Sequence, residues 1–258
     1  MDLDLIGKTV VITGGTKGIG FSCAGAFLAE SARVGIVSRS QQNLDSACGE
    51  LPGVFGMTAD LSDEAEARRC VDTMERELGP IDILVNSAGA ARRTPPDELS
   101  PSVYRAAMDA KFYSYVNVID PVVKRMAKRN SGVIVNVIGN GGKVASPVHV
   151  PGGAANAALM LVTAGLATAY ADRGVRVVAV NPGLTDTSRV AEGLQADAKL
   201  ASISEAEARQ RSVARIPMGR LADPQEIARV VVFLASGQAS YVTGVSITMD
   251  GAAAPIVV

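Results

Sequence analysis

Short apolar runs rich in β-branched residues alternate along this chain with longer segments rich in Ala, Glu and Arg. Runs such as 10 to 12, 83 to 85 and 177 to 180 are apolar at consecutive positions, which is typical of strands covered by helices on both faces. The alternation predicts repeated βαβ units and an α/β fold with a doubly wound parallel sheet of about seven strands. We predict strands near residues 8 to 13, 33 to 38, 54 to 58, 81 to 86, 132 to 138, 175 to 180 and 245 to 249.

Two helix starts and one irregular stretch complete the predicted organisation. Ser100-Pro101 and Asp223-Pro224 each place a capping side chain before a proline at the first helical position. Residues 184 to about 216 are polar and Ala-rich and follow a predicted strand, so they form either a substrate lid or a surface helical excursion. No linker or repeat interrupts the chain, and we expect residues 1–258 to form a single domain.

The charges nearly balance, with 25 Lys plus Arg against 26 Asp plus Glu, so no long-range field draws the chain toward nucleic acid or an anionic membrane. Cys23, Cys48 and Cys70 form no CxxC pair, and we interpret them as small hydrophobes in a reducing compartment. No window approaches the roughly 18 uncharged apolar residues of a membrane helix. We therefore expect a cytoplasmic protein that acts on a small-molecule substrate and has no nucleic-acid or membrane partner.

A glycine-rich segment from Thr13 to Gly20 directly follows the first predicted strand and opens the first helix. Its glycines allow a tight turn and a close approach of the backbone to a pyrophosphate, and the helix N-terminus adds amides and a positive dipole end. A lone glycine-rich loop is weak evidence. Its position between a strand and a helix predicts a dinucleotide-binding site in a Rossmann fold.

The same segment resembles the TGxxxGIG fingerprint of the short-chain dehydrogenase/reductase family, and other motifs of that family follow in order over nearly the whole chain. They are Asp60-Leu61, Asn86-Ser87-Ala88-Gly89, Asn181-Pro182-Gly183 with Thr187, and a C-terminal run from Pro217 to Gly251. The resemblance implies that a nicotinamide dinucleotide is bound by Gly14, Thr16, Lys17, Gly18, Ile19, Gly20, Ser38, Arg39, Asp60, Leu61, Asn86, Ala88, Gly89, Asn156, Pro182, Gly183 and Thr187. It also implies a homotetramer or homodimer, for which the alanine-rich segment 154 to 171 suits a close helix contact.

The end of the second strand indicates which cofactor is bound. A site selective for NAD usually has a carboxylate there, which accepts from the ribose hydroxyls, whereas this chain has Ser38 and Arg39. Both side chains suit a 2′-phosphate, and Lys17 adds a second cation. The alternative is that both cations are solvated surface groups. We predict NADP rather than NAD, and no metal site.

The catalytic side chains of the resembling family are missing. In that family a Tyr is the general acid or base, a Lys lowers its pKa, a Ser holds the carbonyl and an Asn completes a water relay. Counting from the flanking motifs places these roles at Gly152, Asn156, Gly139 and Lys111 respectively. Glycine has no side chain that donates a proton, so the usual mechanism does not carry over.

Three residues at or near these positions are candidates for catalysis: His149, Lys111 and Asn156. The lysine and the asparagine have exchanged positions, so Asn156 is expected to hydrogen-bond a ribose hydroxyl while Lys111 supplies the ammonium from the opposite side; the alternative is an accidental exposed lysine. His149, the only histidine, has an ordinary pKa of about 6.5 that suits acid–base work at neutral pH. The alternative is that His149 is an exposed loop residue without a catalytic role. Tyr113 and Tyr115 are alternative donors, but packing is their commoner role, so His149 is preferred to them.

The run Gly139-Asn140-Gly141-Gly142 has two interpretations. Either it lets a substrate or a nicotinamide approach the backbone, with amides replacing the lost serine, or it is a flexible turn left after selection for catalysis lapsed. The leading function is an NADP-dependent oxidoreductase with unusual acid–base groups, because the cofactor carries the hydride chemistry. The alternatives are a cofactor-binding regulatory or structural protein without redox activity, and a non-redox isomerase or lyase.

Overall fold

The computed structural model describes residues 2–89 and 92–255. Seven parallel strands form one sheet in the order β3-β2-β1-β4-β5-β6-β7, which confirms the predicted doubly wound α/β fold. The strands are β1 Thr9–Thr13, β2 Arg33–Ser38, β3 Phe55–Thr58, β4 Ile83–Asn86, β5 Gly132–Val137, β6 Val175–Pro182 and β7 Ser246–Met249. Every predicted strand is present, and each boundary lies within two residues of its predicted position.

Helices cover both faces of the sheet. They are α1 Gly18–Ala29, α2 Gln41–Glu50, α3 Glu64–Leu78, α4 Pro101–Ala107, α5 Ser114–Arg129, α6 Val150–Tyr170, α7 Ser188–Ala201, α8 Glu205–Val213 and α9 Pro224–Ala235. A π-helical turn, Met108–Tyr113, connects α4 to α5. Such turns are often found at functional sites.

The core has two layers, one on each face of the sheet. Val10 and Ile12 of β1 belong to the layer with α1, α2 and α9, whereas Val11 belongs to the layer with α3, α5 and α6. Successive strand residues point to opposite faces, so a strand buried on both sides is apolar at every position. This is why consecutive apolar residues located the strands correctly.

The strand order reverses between β1 and β4, where β2 and β3 lie on one side and β5 to β7 on the other. In open parallel sheets, ligands bind in the crevice at the carboxyl ends of the strands beside such a switch point. Thr13, Asn86 and Val137 end the strands β1, β4 and β5. The candidate site therefore lies above these three residues.

The two predicted helix starts differ in their capping. Asp223 forms a capping box at the start of α9, in which its side chain accepts from the backbone and Glu226 accepts from the Asp223 amide. Ser100 precedes α4 as predicted, but its side chain makes no capping hydrogen bond. Its Oγ lies 2.8 Å from Oγ of Ser102 instead.

Helix α6 corrects one expectation. The segment Val150–Arg173 is long and apolar enough to cross a membrane by length and composition, contrary to the expectation that no such stretch exists. In this fold the helix packs against β6 and the π-helical turn, and 44% of its most apolar window is buried. A core helix passes the same test, so this feature is weak evidence for a membrane span.

The cysteines lie on α1, α2 and α3 and are free thiols, with Cys23 and Cys70 buried.

Residues 184 to 216 contain two helices, α7 and α8. An ion pair between Arg209 and Asp186 joins α8 to the start of the segment. Thr185 bridges to Ala222 as an isolated β-bridge. The segment is thus attached at its base and extends over the carboxyl ends of the strands.

Candidate active site

The glycine-rich loop forms a tight turn between β1 and α1. Gly14 has φ +67°, and a Cβ there would lie 2.8 Å from the Cα of Ala88, so the loop needs glycine both for its conformation and for its contact with β4. A Cβ on Gly20 would lie 2.3 Å from the carbonyl oxygen of Gly14. Lys17 precedes α1 in an extended conformation, and its side chain makes no capping bond. The first amides of α1 are therefore available, and this glycine cradle fits a dinucleotide pyrophosphate.

Thr13 connects the loop to the segment after β4. Its Oγ1 accepts from the amides of Ser87 and Ala88 at 3.1 and 3.2 Å. The buried Asn86 amide donates to Oδ1 of Asn136 at 3.0 Å, so its side chain is used within the fold. Gly89 has φ +78°, and a Cβ there would lie 1.9 Å from the carbonyl oxygen of Ala110. Glycine at this position thus lets the segment lie against the π-helical turn.

Several predicted cofactor residues meet at the ends of β2 and β3. Thr16 Oγ1 lies 3.4 Å from Ser38 Oγ, and a cavity of about 430 Å³ beside them is lined by Arg39 and Asp60. Two hydrogen bonds from Ser62 and the nearby charge of Arg39 hold the pKa of Asp60 below its ordinary value. The side chain of Leu61 is buried in one core cluster, whereas that of Ile19 is only partly buried against the other.

The opposite end of the cleft is formed by the segment after β6. A Cβ on Gly183 would lie 2.7 Å from Cβ of Asp250, which explains the glycine after Pro182. Thr187 lies directly over the glycine-rich loop, with its Cγ2 3.1 Å from the Cβ position of Gly18. The structure thus brings the segment 182–187 and the glycine-rich loop to one cleft.

Lys111 is buried in the π-helical turn. Its Nζ donates to Tyr115 Oη at 2.8 Å and to the Val137 carbonyl at 3.1 Å, and Tyr115 Oη donates to the same carbonyl at 2.6 Å. Burial, and then the charge of Arg189, lower the pKa of Lys111 to about 7. Burial raises the pKa of Tyr115. The alternative of an accidental exposed lysine is therefore wrong.

His149 and Asn156 lie around the glycine turn on the other side of the end of β5. Nδ2 of Asn156 lies 3.3 Å from the Cβ position of Gly139, and both Nδ2 of Asn156 and Nε2 of His149 lie within 3.6 Å of the Cβ position of Gly141. Burial, then the charges of Arg93 and Lys111, lower the pKa of His149. The imidazole is therefore neutral at neutral pH. Lys111 on Val137 and Asn156 at Gly139 flank the same strand end.

The glycine turn also has a packing role that neither interpretation of the sequence contained. A Cβ on Gly142 would lie 2.7 Å from the Ala157 amide nitrogen, and one on Gly153 would lie 2.7 Å from the Gly141 carbonyl oxygen. Glycines at both positions allow the turn to lie directly on the start of α6. Gly139 has φ +120°, a conformation essentially restricted to glycine.

Arg93 connects helix α7 to the rest of the site. Its guanidinium forms an ion pair with Asp197 of α7, and its Nε lies 3.4 Å from the Cβ position of Gly193 on the same helix. The amide of Thr94 donates to the Val148 carbonyl at 2.9 Å. Loop 92–95 is thus held between α7 and the residue before His149.

Sequence reasoning missed Arg93 and Arg189 and assigned Tyr115 mainly to packing. Tyr115 is fully buried, and its spacing of one helical turn from Lys111 is the signal that could have paired them. Arg93 had no such signal, because it lies in a loop without a motif and its partner Asp197 is on α7. Arg189 follows the motif residue Thr187 by two positions but is not part of the motif. Arg189 has no ion-pair partner in the described part of the chain, and its positive charge suits an anionic group of a cofactor or a substrate.

Comparisons with known proteins agree with the fold. The profile of a family described as enoyl-(acyl carrier protein) reductase matches residues 14–252. A 3alpha-hydroxysteroid dehydrogenase of Mediterraneibacter gnavus is 31% identical, over 98% of this chain and 99% of its own. A 3-oxoacyl-(acyl-carrier-protein) reductase of Thermotoga maritima is 34% identical, over 96% of this chain and 98% of its own. Among solved structures, an actinorhodin polyketide ketoreductase with NADPH has a TM-score of 0.92 at 28% identity, covering 95% of this chain and 97% of that chain.

Proposed function

The chain belongs to the short-chain dehydrogenase/reductase family and is an NAD(P)-dependent oxidoreductase, and from this premise we propose that it transfers hydride between NADP(H) and a small carbonyl or alcohol with Lys111 in the acid–base role. In the reducing direction, NADPH supplies the hydride to the carbonyl carbon, and the carbonyl oxygen takes up one proton. The side chains of this chain bind the cofactor, orient the substrate and supply that proton.

The assignment of NADP rests on the cations at the end of β2. Ser38 and Arg39 occupy the position where a carboxylate selects NAD, and Arg39 lines the cavity beside Asp60. Arg39 has no hydrogen bond or ion pair among residues 2–89 and 92–255, so its guanidinium is available to a 2′-phosphate. The structural neighbour solved with NADPH supports the same choice.

The acid–base role of Lys111 rests on its position: its ammonium is buried at the carboxyl end of β5, in contact with the Val137 carbonyl. Burial lowers its pKa to about 7. A general acid is most effective when its pKa is near the working pH. Tyr115 holds Nζ of Lys111 and stays protonated, because burial raises its pKa. Tyr115 is therefore a positioning residue rather than the proton donor.

Asn156 and His149 complete the proposed site. The Asn156 carboxamide lies at Gly139 and Gly141, where it is able to hydrogen-bond a ribose hydroxyl or the substrate oxygen. His149 is the second candidate for proton transfer, because its imidazole lies at the same turn and is neutral at neutral pH. A neutral imidazole accepts a proton from an alcohol or relays one from water.

The experiment that tests this function is a titration of the purified protein with NADPH and NADH, followed by nicotinamide fluorescence. A panel of ketones, quinones and enones is then added to the complex. We expect NADPH to bind more tightly than NADH and an acceptor to consume it. Binding without consumption by any acceptor would favour a regulatory or structural protein or a non-redox enzyme, and binding of neither cofactor would refute the assignment of the glycine-rich loop.

The roles of individual residues are tested on the acceptor that this panel identifies. Lys111→Met is expected to lower turnover by about a hundredfold or more, as for the loss of a general acid, with little effect on cofactor affinity. The matched control is Lys128→Met, which removes an exposed lysine from the end of α5. His149→Gln is expected to change the pH dependence of turnover. Unchanged turnover in Lys111→Met would refute the acid–base assignment.

We also propose the domain organisation, the localisation and the assembly of the protein. Residues 1–258 form a single domain, residues 184–216 act as the substrate lid, and the protein is cytoplasmic. Helix α6 exposes Leu161 to 76% and is rich in alanine, which favours close helix contact in a homodimer or homotetramer. Light scattering coupled to size-exclusion chromatography tests the assembly, and Leu161→Glu is expected to reduce it.

A further inference from the structure

Arg189 lies in the first turn of α7, directly beside the glycine-rich loop. The preceding Thr187 contacts Gly18 with its methyl group 3.1 Å from the Cβ position, and its Oγ1 accepts from the amide of Val190 at 3.4 Å. The start of α7 is thus fixed over the start of α1. The first turn of α7, which holds Arg189, therefore lies beside the glycine-rich loop.

The charge of Arg189 acts on both ends of the cleft. It lowers the pKa of Lys111 at the reaction end, and the pKa of Arg189 is itself lowered, first by burial and to a smaller extent by the charge of Arg39 at the adenosine end. The side chain is nevertheless exposed to solvent. Because its charge reaches both Lys111 and Arg39, we place the guanidinium between the two ends of the cofactor site.

Arg189 has no hydrogen bond or ion pair within the described ranges 2–89 and 92–255. The acidic residue that affects the pKa of Arg189 is Glu192, and it does not lie within ion-pair distance. Two other arginines of this side of the cleft are engaged, since Arg93 pairs with Asp197 and Arg209 with Asp186. A guanidinium without a partner beside a glycine-rich loop is suited to a phosphate, which it binds with two parallel hydrogen bonds.

We propose that Arg189 binds the pyrophosphate of the dinucleotide from the lid side, opposite the glycine-rich loop. The proposal rests on the proposed cofactor. Position selects the pyrophosphate over the 2′-phosphate, because Arg39 lies at the adenosine end while Arg189 also acts on Lys111 and Tyr115. The cofactor is then held between the amides of α1 and a cation of α7, and its binding fixes the lid segment.

The test compares two arginine variants against two cofactors. NADPH and NADH share the pyrophosphate, but only NADPH has the 2′-phosphate. Dissociation constants from nicotinamide fluorescence are therefore expected to rise by about ten- to a hundredfold for both cofactors in Arg189→Leu. In Arg39→Leu the rise is expected for NADPH alone. Arg189→Lys is expected to recover part of the affinity, because it keeps the charge without the planar fork.

The control is Arg211→Leu on α8, which removes an exposed arginine of the same lid segment and is expected to leave both constants unchanged. Far-ultraviolet circular dichroism and thermal melting check that each variant folds. Unchanged constants in Arg189→Leu, or a loss for NADPH alone, would overturn the proposal while the proposed function stands. If the parent protein binds neither cofactor, the proposed function and this proposal fail together.

Discussion

The ammonium of Lys111 and the phenol of Tyr115 are 2.8 Å apart and both donate to the carbonyl oxygen of Val137. Neither group has a carboxylate partner in the described part of the chain. Desolvation therefore acts on both in the direction of the neutral form, which lowers the pKa of the lysine and raises that of the tyrosine. Of the two, only Lys111 changes its charge near neutral pH.

This pair predicts how the stability of the cofactor-free protein depends on pH. The pKa of Lys111 is lowered from 10.5 to about 7 on folding, so above pH 7 the unfolded chain holds a proton that the folded chain has released. The free energy of unfolding is then expected to rise with pH, measured by urea denaturation between about pH 7 and 8.5. Above this window, the free energy of unfolding is expected to fall as the pH rises, because burial raises the pKa values of Cys23 and Cys70 in the folded chain.

Lys111→Met is the variant that isolates this effect. It removes the buried charge and keeps an unbranched side chain, so it is expected to abolish the rise and to stabilise the protein at pH 7 by roughly 1–4 kcal/mol. Lys128→Met, at an exposed position on α5, should preserve the rise. A parent protein with constant stability across the window would show that Lys111 stays charged.

A second prediction concerns the single histidine, which gives one pair of imidazole signals in an NMR titration. Burial and the charges of Arg93 and Lys111 lower the pKa of His149 below 6.5. Arg93→Gln removes one of these charges and is expected to raise the pKa. Lys111→Met is expected to act in the same direction.

The comparison requires an arginine that is remote from the imidazole. Arg76 on α3 pairs with Glu77 and has no effect on the pKa of His149, so Arg76→Gln should leave the titration curve in place. A pKa that does not move in Arg93→Gln would mean that loop 92–95 lies away from His149 in solution.

Helix capping gives a third prediction, because two similar sequence signals have different structures. Asp223 accepts from the Gln225 amide at 2.8 Å, so Asp223→Ala is expected to lower the free energy of unfolding by about 0.5–2 kcal/mol. Ser100 makes no capping bond, and Ser100→Ala is expected to cost less than about 0.5 kcal/mol. Equal losses in chemical denaturation would contradict the difference between the two caps.

The same two residues show what sequence can and cannot predict. Local rules located both helix starts, since a capping residue followed by proline restricts the backbone on its own. Whether the side chain makes the capping hydrogen bond depends on which neighbouring group it contacts. The hydroxyl of Ser100 contacts that of Ser102 instead of a backbone amide of α4. Strand positions and the glycine-rich loop were predictable for the same reason, because periodicity and φ preferences are properties of short segments.

The electrostatics of the candidate site were less accessible to sequence reasoning. Lys111 was recognised as a replacement from its position in a motif, but its burial and its contact with Val137 arise from the packing of the π-helical turn on β5. Arg93 approaches from a loop without a motif and Arg189 from the first turn of α7, just after Thr187, and the roles of both depend on the position of α7. Long-range placement of charged side chains is set by tertiary structure, which a single sequence does not specify locally.

The final prediction concerns an attempt to restore the family's serine at Gly139. Because φ is +120° there, Gly139→Ser is expected to destabilise the protein by about 1–3 kcal/mol and to give no gain in turnover. Gly142→Ala places a methyl group 2.7 Å from the Ala157 amide nitrogen and is expected to cost a similar amount, about 1–3 kcal/mol. Gly49→Ala is the control, since a Cβ there meets nothing within 4 Å and should stabilise α2 by roughly 0.4–1 kcal/mol. If thermal melting showed Gly139→Ser to be as stable as the parent, the glycine turn would be adaptable rather than fixed against α6, and the loss of the family's serine would then have a functional cause.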